Sequence, residues 1–192
     1  RYRTWPVVER AFDTARRQNE LALRQLDLGT ADLASIEQLL SLILFPNAGL
    51  RASPDVLSAN SKGQSGLWAY AISGDYPILL VRIDDAAAIG LIQEVVQGHR
   101  YWRNQQLMID VVILNLHDSS YSQELRDQIH RLIVRTDSTD WLNRRGGIFV
   151  LNADQMNEAD RTLLHTVAGA VLDGQHGSLA EQLSRLRQRS AP

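Results

Sequence analysis

The sequence predicts an α/β fold: a short, mainly parallel sheet of three strands, extended by a fourth at 67–72, flanked by helices and preceded by a helical N-terminal extension. Two observations predict it. Nearly continuous apolar, branched runs recur at 78–83 (ILLVRI), 109–115 (IDVVILN) and 146–152 (GGIFVLN), the pattern of strands buried on both faces. Each run leads through turn residues into a stretch of helical spacing, and parallel strands need crossovers of that length. The organisation expected is a helical extension over 1–60 and an α/β sandwich with a C-terminal helix over 61–192, packed as one unit.

The elements follow in order. Thr4 caps a helix with Pro6 in its first turn, and Val8, Ala11, Phe12, Ala15, Asn19, Ala22 and Leu26 recur at three- and four-residue spacing, giving a face that can be buried. Gly29 and Thr30 interrupt it. Leu33, Ile36, Leu39, Leu40, Ile43 and Leu44 form the stripe of a second helix, which Pro46, Asn47 and Gly49 end. Ser53, Pro54 and Asp55 open a short third helix. Beyond the polar loop 61–66, the alternation at 67–72 (LWAYAI) suits a strand that turns through Ser73, Gly74 and Asp75 into the run at 78–83. Asp84 and Asp85 cap the next helix, which carries Ile89, Ile92, Val95, Val96, His99 and Trp102. After the second strand comes a helix with Leu125, Ile129, Leu132 and Ile133, and Asp140 caps a short turn with Trp141 and Leu142. After the third strand, Asn157 caps a helix running through Leu163, Leu164, Val167, Val171 and Leu172 to Gly174. From Ser178 onward Leu179, Leu183 and Leu186 sit at docking spacing on an Arg-rich helix.

Composition bounds the function. Twenty Lys and Arg against 22 Asp and Glu give a net charge of −2 over 192 residues, which argues against a nucleic-acid partner, whose footprint is a positive excess. Cysteine is absent, removing disulfides, thiolate metal sites and cysteine nucleophiles together. No apolar run reaches the ~18 residues of a membrane-spanning helix, so no membrane insertion is expected, and no signal-peptide pattern opens the chain. It starts at Arg1 and enters a helix at once, reading as a piece of a longer polypeptide.

No GxxxxGK[ST] or GxGxxG spacing occurs, and Asp84 with Asp85 would repel a pyrophosphate after the first strand. The five histidines are dispersed, without HExxH or a pair one turn apart. Neither a cofactor nor a metal site is expected. Two groups remain. Open α/β sheets bind ligands outside the carboxyl ends of their strands, and that edge offers Asp84, Asp85, Asn115, His117, Asp118, Ser119, Asn152 and Asp154. Asp, Asn and Ser are also what caps and turns select, and consecutive His117, Asp118 and Ser119 cannot converge as a triad. The second group is Trp68, Tyr70, Tyr76, Tyr101 and Trp102 with Asp75, since sugar rings stack on aromatic faces. Core packing or an interface with a parent protein is the more ordinary use of such side chains. Asp75, Glu94 and Asp110 lie on different kinds of element, so nothing pairs them across a bond.

Residues 66–83 (GLWAYAISGDYPILLVRI) resemble a segment of cyclic β-1,2-glucan synthases, large multidomain membrane enzymes historically placed in glycosyltransferase family thirty-six, with a region similar to cellobiose-type phosphorylases. The resemblance continues through 99–103 (HRYWR), 109–115, 119–121 (SSY), 146–151, 160–164 (DRTLL) and 177–183 (GSLAEQL), essentially the whole chain. Ala71 stands where the family pattern has Gly, and Leu116 where an acidic residue commonly follows the second strand. The resemblance implies a place between modules of the phosphorylase-like half, on the cytoplasmic side of the inner membrane, with other modules of the same polypeptide and β-1,2-glucan as partners. It also implies that UDP-glucose chemistry and phosphorolysis belong to other modules. The general-acid motif of the phosphorylases is absent from these residues, so none carries over as catalytic, and the expectation is a non-catalytic connecting module, the alternatives being a β-1,2-glucan-binding surface or a partial contributor, through Asp75 or the strand-end cluster, to a neighbouring glycoside phosphorylase active site.

Overall fold

The computed structural model describes residues 4–26, 28–116 and 122–190. The chain opens with α1 (Trp5–Gln25) and α2 (Thr30–Leu44), and the Gly29 N–H between them donates to Asp32 Oδ2 at 3.0 Å, closing the start of α2 with a first-turn carboxylate. Ser53 caps α3 (Pro54–Ala59). Then come β1 (Ile78–Ile83), α4 (Ile89–Asn104), β2 (Asp110–Asn115), α5 (Ser122–Arg135), β3 (Ile148–Asn152), α6 (Glu158–Val167), β4 (Ala170–Asp173) and α7 (Leu179–Ser190).

The four strands are parallel in the order β3-β2-β1-β4. Leu79, Val81, Ile83, Val111, Ile113 and Ile148 point to one face, where they pack with Ile36 and Ile43 of α2, Ile92 and Val95 of α4, Ile129 and Ile133 of α5, and Leu179 and Leu183 of α7. The opposite face, with Ile78, Leu80, Val112, Leu114 and Phe149, is covered by Leu163 and Leu164 of α6 and by Leu67 and Ile72. One face therefore carries four helices, and the other a ten-residue helix and a turn. Within 1–60, α2 contributes to the main core, whereas Trp5 and Phe12 of α1 are each 71% exposed, so the Phe12 ring on the face expected to be buried stands in solvent.

Two expectations are corrected. Residues 67–72 are not a strand; the 3₁₀ helix Gln64–Tyr70 occupies the place and ends at Ala71 in the left-handed conformation (φ 62°, ψ 11°). Both sides of β1 are taken by β2 and β4, which leaves the segment no place beside β1, the strand it leads into. The fourth strand is instead 170–173, read from sequence as the end of a helix. That helix stops at Val167, and Gly169 lies so close to α2 that a Cβ there would be 2.5 Å from the Ile43 carbonyl oxygen. The outer edge of β4 is covered, as an unpaired edge must be. Val171 N–H donates to Leu50 O at 2.7 Å. Further along, the buried Gln182 amide stands in for a strand, accepting from Asp173 N–H at 3.1 Å and donating to Asp173 O at 2.9 Å.

Candidate functional site

The described strand-end residues are Asp84, Asp85, Asn115, Asn152 and Asp154. Asp85 caps the turn at 86–88 through Ala87 N–H (3.1 Å), and Asp84 accepts from the Gln175 amide. Asn115 and Asn152, paired in register at the ends of β2 and β3, meet side chain to side chain at 3.4 Å and are buried. Asp154 is exposed on the turn after β3. His117, Asp118 and Ser119 lie outside the described residues. Among the described residues no group of three or more His, Asp or Glu side chains could hold a metal ion, and no helix is long and apolar enough to cross a membrane.

The aromatic group splits across the sheet. Trp102 is fully buried and Tyr101 is 7% exposed, its hydroxyl donating to Glu37 at 3.3 Å; neither presents a ring face for stacking. Tyr70 is half-buried and donates to Asp160 Oδ2 at 2.9 Å. Asp75 is bridged by Arg145 at 2.8 Å, whose guanidinium also lies 5.3 Å from the centre of the Tyr76 ring. Trp68 remains, 65% exposed, with its indole N–H 3.4 Å from Ser73 O.

Asp160, at the start of α6, gathers a second polar cluster. Its carboxylate accepts from Lys62 Nζ at 2.5 Å, Tyr70 at 2.9 Å and Asn157 Nδ2 at 2.6 Å, and its own N–H donates to Asn157 Oδ1 at 2.9 Å. The hydrogen bond from Lys62, the largest cause, holds its carboxyl below the ordinary range, while burial and the Asp160 contact raise the Tyr70 hydroxyl. Every carboxylate oxygen is thus occupied, and the cluster fastens the 3₁₀ segment to α6.

A third cluster lies at the amino end of β2. Buried Asp110 accepts from Gly146 N–H at 2.7 Å, while buried His99 Nε2 lies 2.8 Å from the carbonyl oxygen of the same glycine. Burial pushes Asp110 up to about 6 and His99 down to about 4, partly opposed in each case by hydrogen bonds to the backbone. Arg103 stacks on Trp141 at 4.4 Å beside them.

Sequence reasoning missed these two clusters, and also a cavity of about 230 Å³ beside the carboxyl ends of β1 and β4. Its polar lining includes Arg51, Arg82, Arg185, His176 and Asp173, and its apolar wall includes Leu50, Val171 and Leu186. The signal was the short apolar run 170–173 after Gly169, ended by Asp173 and Gly174.

No family model matches the chain. Among curated proteins, the cyclic β-(1,2)-glucan synthase NdvB of Rhizobium meliloti (strain 1021) is 28% identical to it over 174 residues, covering 88% of this chain and 6% of that protein. The resemblance to cyclic β-1,2-glucan synthases therefore holds along nearly the whole chain, which spans only a small part of that relative's length.

Proposed function

We propose that this glucan synthase-like region is a non-catalytic connecting module within a cyclic β-1,2-glucan synthase-like protein, holding neighbouring modules in register. The finer placement, between modules of a phosphorylase-like half on the cytoplasmic side of the inner membrane, belongs to the same proposal. The observation that carries it is the set of large apolar side chains left in water: Trp5 and Phe12 at 71%, Phe45 at 78% and Trp68 at 65% exposure, on a chain matching 6% of its relative. Exposed aromatic side chains are the kind that interfaces between protein surfaces use. Consistent with this reading, the described strand-end residues Asp84, Asp85, Asn115 and Asn152 are engaged in caps and ties.

The test compares Phe12→Ser with Phe45→Ser in two settings. In the chain alone the pair should change stability by no more than about 0.5 kcal/mol, as exposed substitutions do. In the intact protein the same pair should loosen the neighbouring modules, read as faster proteolysis between them and reduced glucan synthesis. An intact protein that tolerates both changes, or a chain that alone transfers or phosphorolyses glucosyl units, refutes the proposal.

A second reading is favoured by the geometry around Trp68: an open indole face beside Asp75, which Gln64 and Arg145 hold in place. An aromatic plane flanked by fixed polar groups suits a sugar ring, here β-1,2-glucan. Titration with β-1,2-glucooligosaccharides, followed by Trp fluorescence, should saturate and should lose its response in Trp68→Ala. An unchanged response in that variant removes this reading.

A further inference from the structure

We infer that the cavity at the β1–β4 end of the sheet is an anion site for a phosphomonoester. The topology puts it where α/β sheets accept ligands. The chain builds β1, β2 and β3 in one direction and then returns to lay β4 on the other side of β1, so β1 and β4 flank the point where the strand order reverses. The crevice directly above that point is filled, because Gly174 lies against Ala88 and Gln175 is tied to Asp84. The open volume lies beside it, between the 49–51 loop, the last residues of β1 and β4, and α7.

The lining is charged beyond what the fold uses. Three guanidinium groups, Arg51, Arg82 and Arg185, share the cavity with a single carboxylate, Asp173. Arg82 Nη1 is 3.5 Å from Asp173 Oδ2, and Arg82 Nε is buried with no hydrogen-bond partner. Arg51 uses one donor, Nη2, on Thr166 O at 3.1 Å. Glu181, one turn before Arg185, has its carboxylate turned to the Ser178 N–H at 2.8 Å, where it caps α7. Cations gathered around one carboxylate repel one another, and a buried guanidinium donor without an acceptor is costly. An oxyanion relieves both, since planar guanidinium forks match the oxygens of a phosphate. At about 230 Å³ the volume is below that of drug-sized sites and suits a phosphoryl group with a small organic substituent, which Leu50, Val171 and Leu186 would contact.

The test is calorimetric titration of the 192-residue chain at low ionic strength with inorganic phosphate and with phenyl phosphate. Both should bind saturably, phenyl phosphate more tightly because only it reaches the apolar wall, and added salt should weaken both. Arg82→Ala and Arg185→Ala should each weaken binding about tenfold or more, the scale of a lost charge-assisted bond. Arg82→Lys, which keeps the charge and the fold but loses the fork, should fall between. Arg187→Ala, on the same helix but bonded to Gln38, should leave affinity unchanged. No saturation by about 10 mM ligand, a binding free energy weaker than about −3 kcal/mol, overturns the inference. So does binding that survives Arg82→Lys and Arg185→Ala intact, or phosphate that binds as tightly as phenyl phosphate.

Discussion

At the scale of single residues, the peptide unit of Gly146 connects two buried groups that titrate in opposite senses: its N–H serves Asp110 and its carbonyl serves His99. Asp110 has its carboxyl raised from 3.8 to about 6, so its stabilising contribution is complete below 3.8 and is lost as pH rises through about 6. His99 is lowered from 6.5 to about 4; its contribution is present above 6.5 and is lost as pH falls through about 4. Each displacement is worth about 3 kcal/mol, and the two slopes cancel across the same window. His99→Gln should therefore leave a chain that loses stability as pH rises from 4 to 6. Asp110→Asn should give one that gains stability from pH 4 to 6.5, with His165, also lowered by burial, adding in the same sense. Urea midpoints measured against pH decide it: profiles parallel to the parent chain's in both variants would show that these groups do not set the dependence. A second single-residue prediction concerns Ala71, held at φ 62°, where the family pattern read from sequence has Gly. Left-handed backbone costs an L residue about 1–2 kcal/mol, and Gly gives back about 0.4–1 through its freer unfolded state. Ala71→Gly should stabilise the chain by about 0.5–1 kcal/mol, seen as a higher urea midpoint; no gain would mean that the turn relaxes this strain.

At the scale of elements, β1, β2 and β3 were legible because each is an apolar run buried on both faces, and periodicity reports that directly. β4 was not. Val171 and Leu172 continue the spacing of Leu163, Leu164 and Val167, and four residues are too few for a strand to declare its own period. What breaks the helix is tertiary, the contact of Gly169 with Ile43 O. The 3₁₀ segment was misread for a related reason: Leu67 and Ile72 are both buried, but they reach the core through a turn fastened by a distant carboxylate. That fastening is testable because Lys62 is the only lysine in the chain. Its ammonium is engaged by Asp160, so a lysine-specific protease should cut the folded chain slowly. Asp160→Asn should cost about 2–3 kcal/mol, between a lost charged hydrogen bond and a broken buried pair. It should also release a single early cleavage into 1–62 and 63–192. Tyr70→Phe should cost about 1 kcal/mol and add less than fully to Asp160→Asn, because both remove bonds to one carboxylate. Cleavage at Lys62 as slow in Asp160→Asn as in the parent chain would mean that other contacts hold the segment.

At the scale of the whole molecule, the candidate site was less legible than the fold because its parts come from places that only the final topology joins. Asp85 and Asn157 could be recognised as caps from their neighbours, whereas Arg51, Arg82 and Arg185 meet only when β4 lies beside β1 and α7 folds back over it. The same topology divides stability unevenly. β1 sits between two strands and its residues Leu79, Leu80 and Val81 are fully buried, so its amides should open only with global unfolding. None of the described side chains of α1 is fully buried; Leu23 is partly buried against the core, and Leu26 is buried just beyond the helix. Local stability follows buried apolar contact, and α1 gains little of the tertiary packing from which helices in proteins draw most of their stability. Hydrogen exchange of the chain alone should therefore be slowest in β1 and β2 and fastest in α1, with α2 close to the core because Ile36, Leu39 and Ile43 are buried. Leu39→Ala should cost about 2–5 kcal/mol and Phe12→Ala less than about 0.5. In the intact protein the order should change at one place: amides of α1 become protected if a neighbouring module covers Trp5 and Phe12. Exchange in α1 that is equally fast in both settings would show that this helix stays in water, and the contact surface would then have to be sought around Phe45 and Trp68.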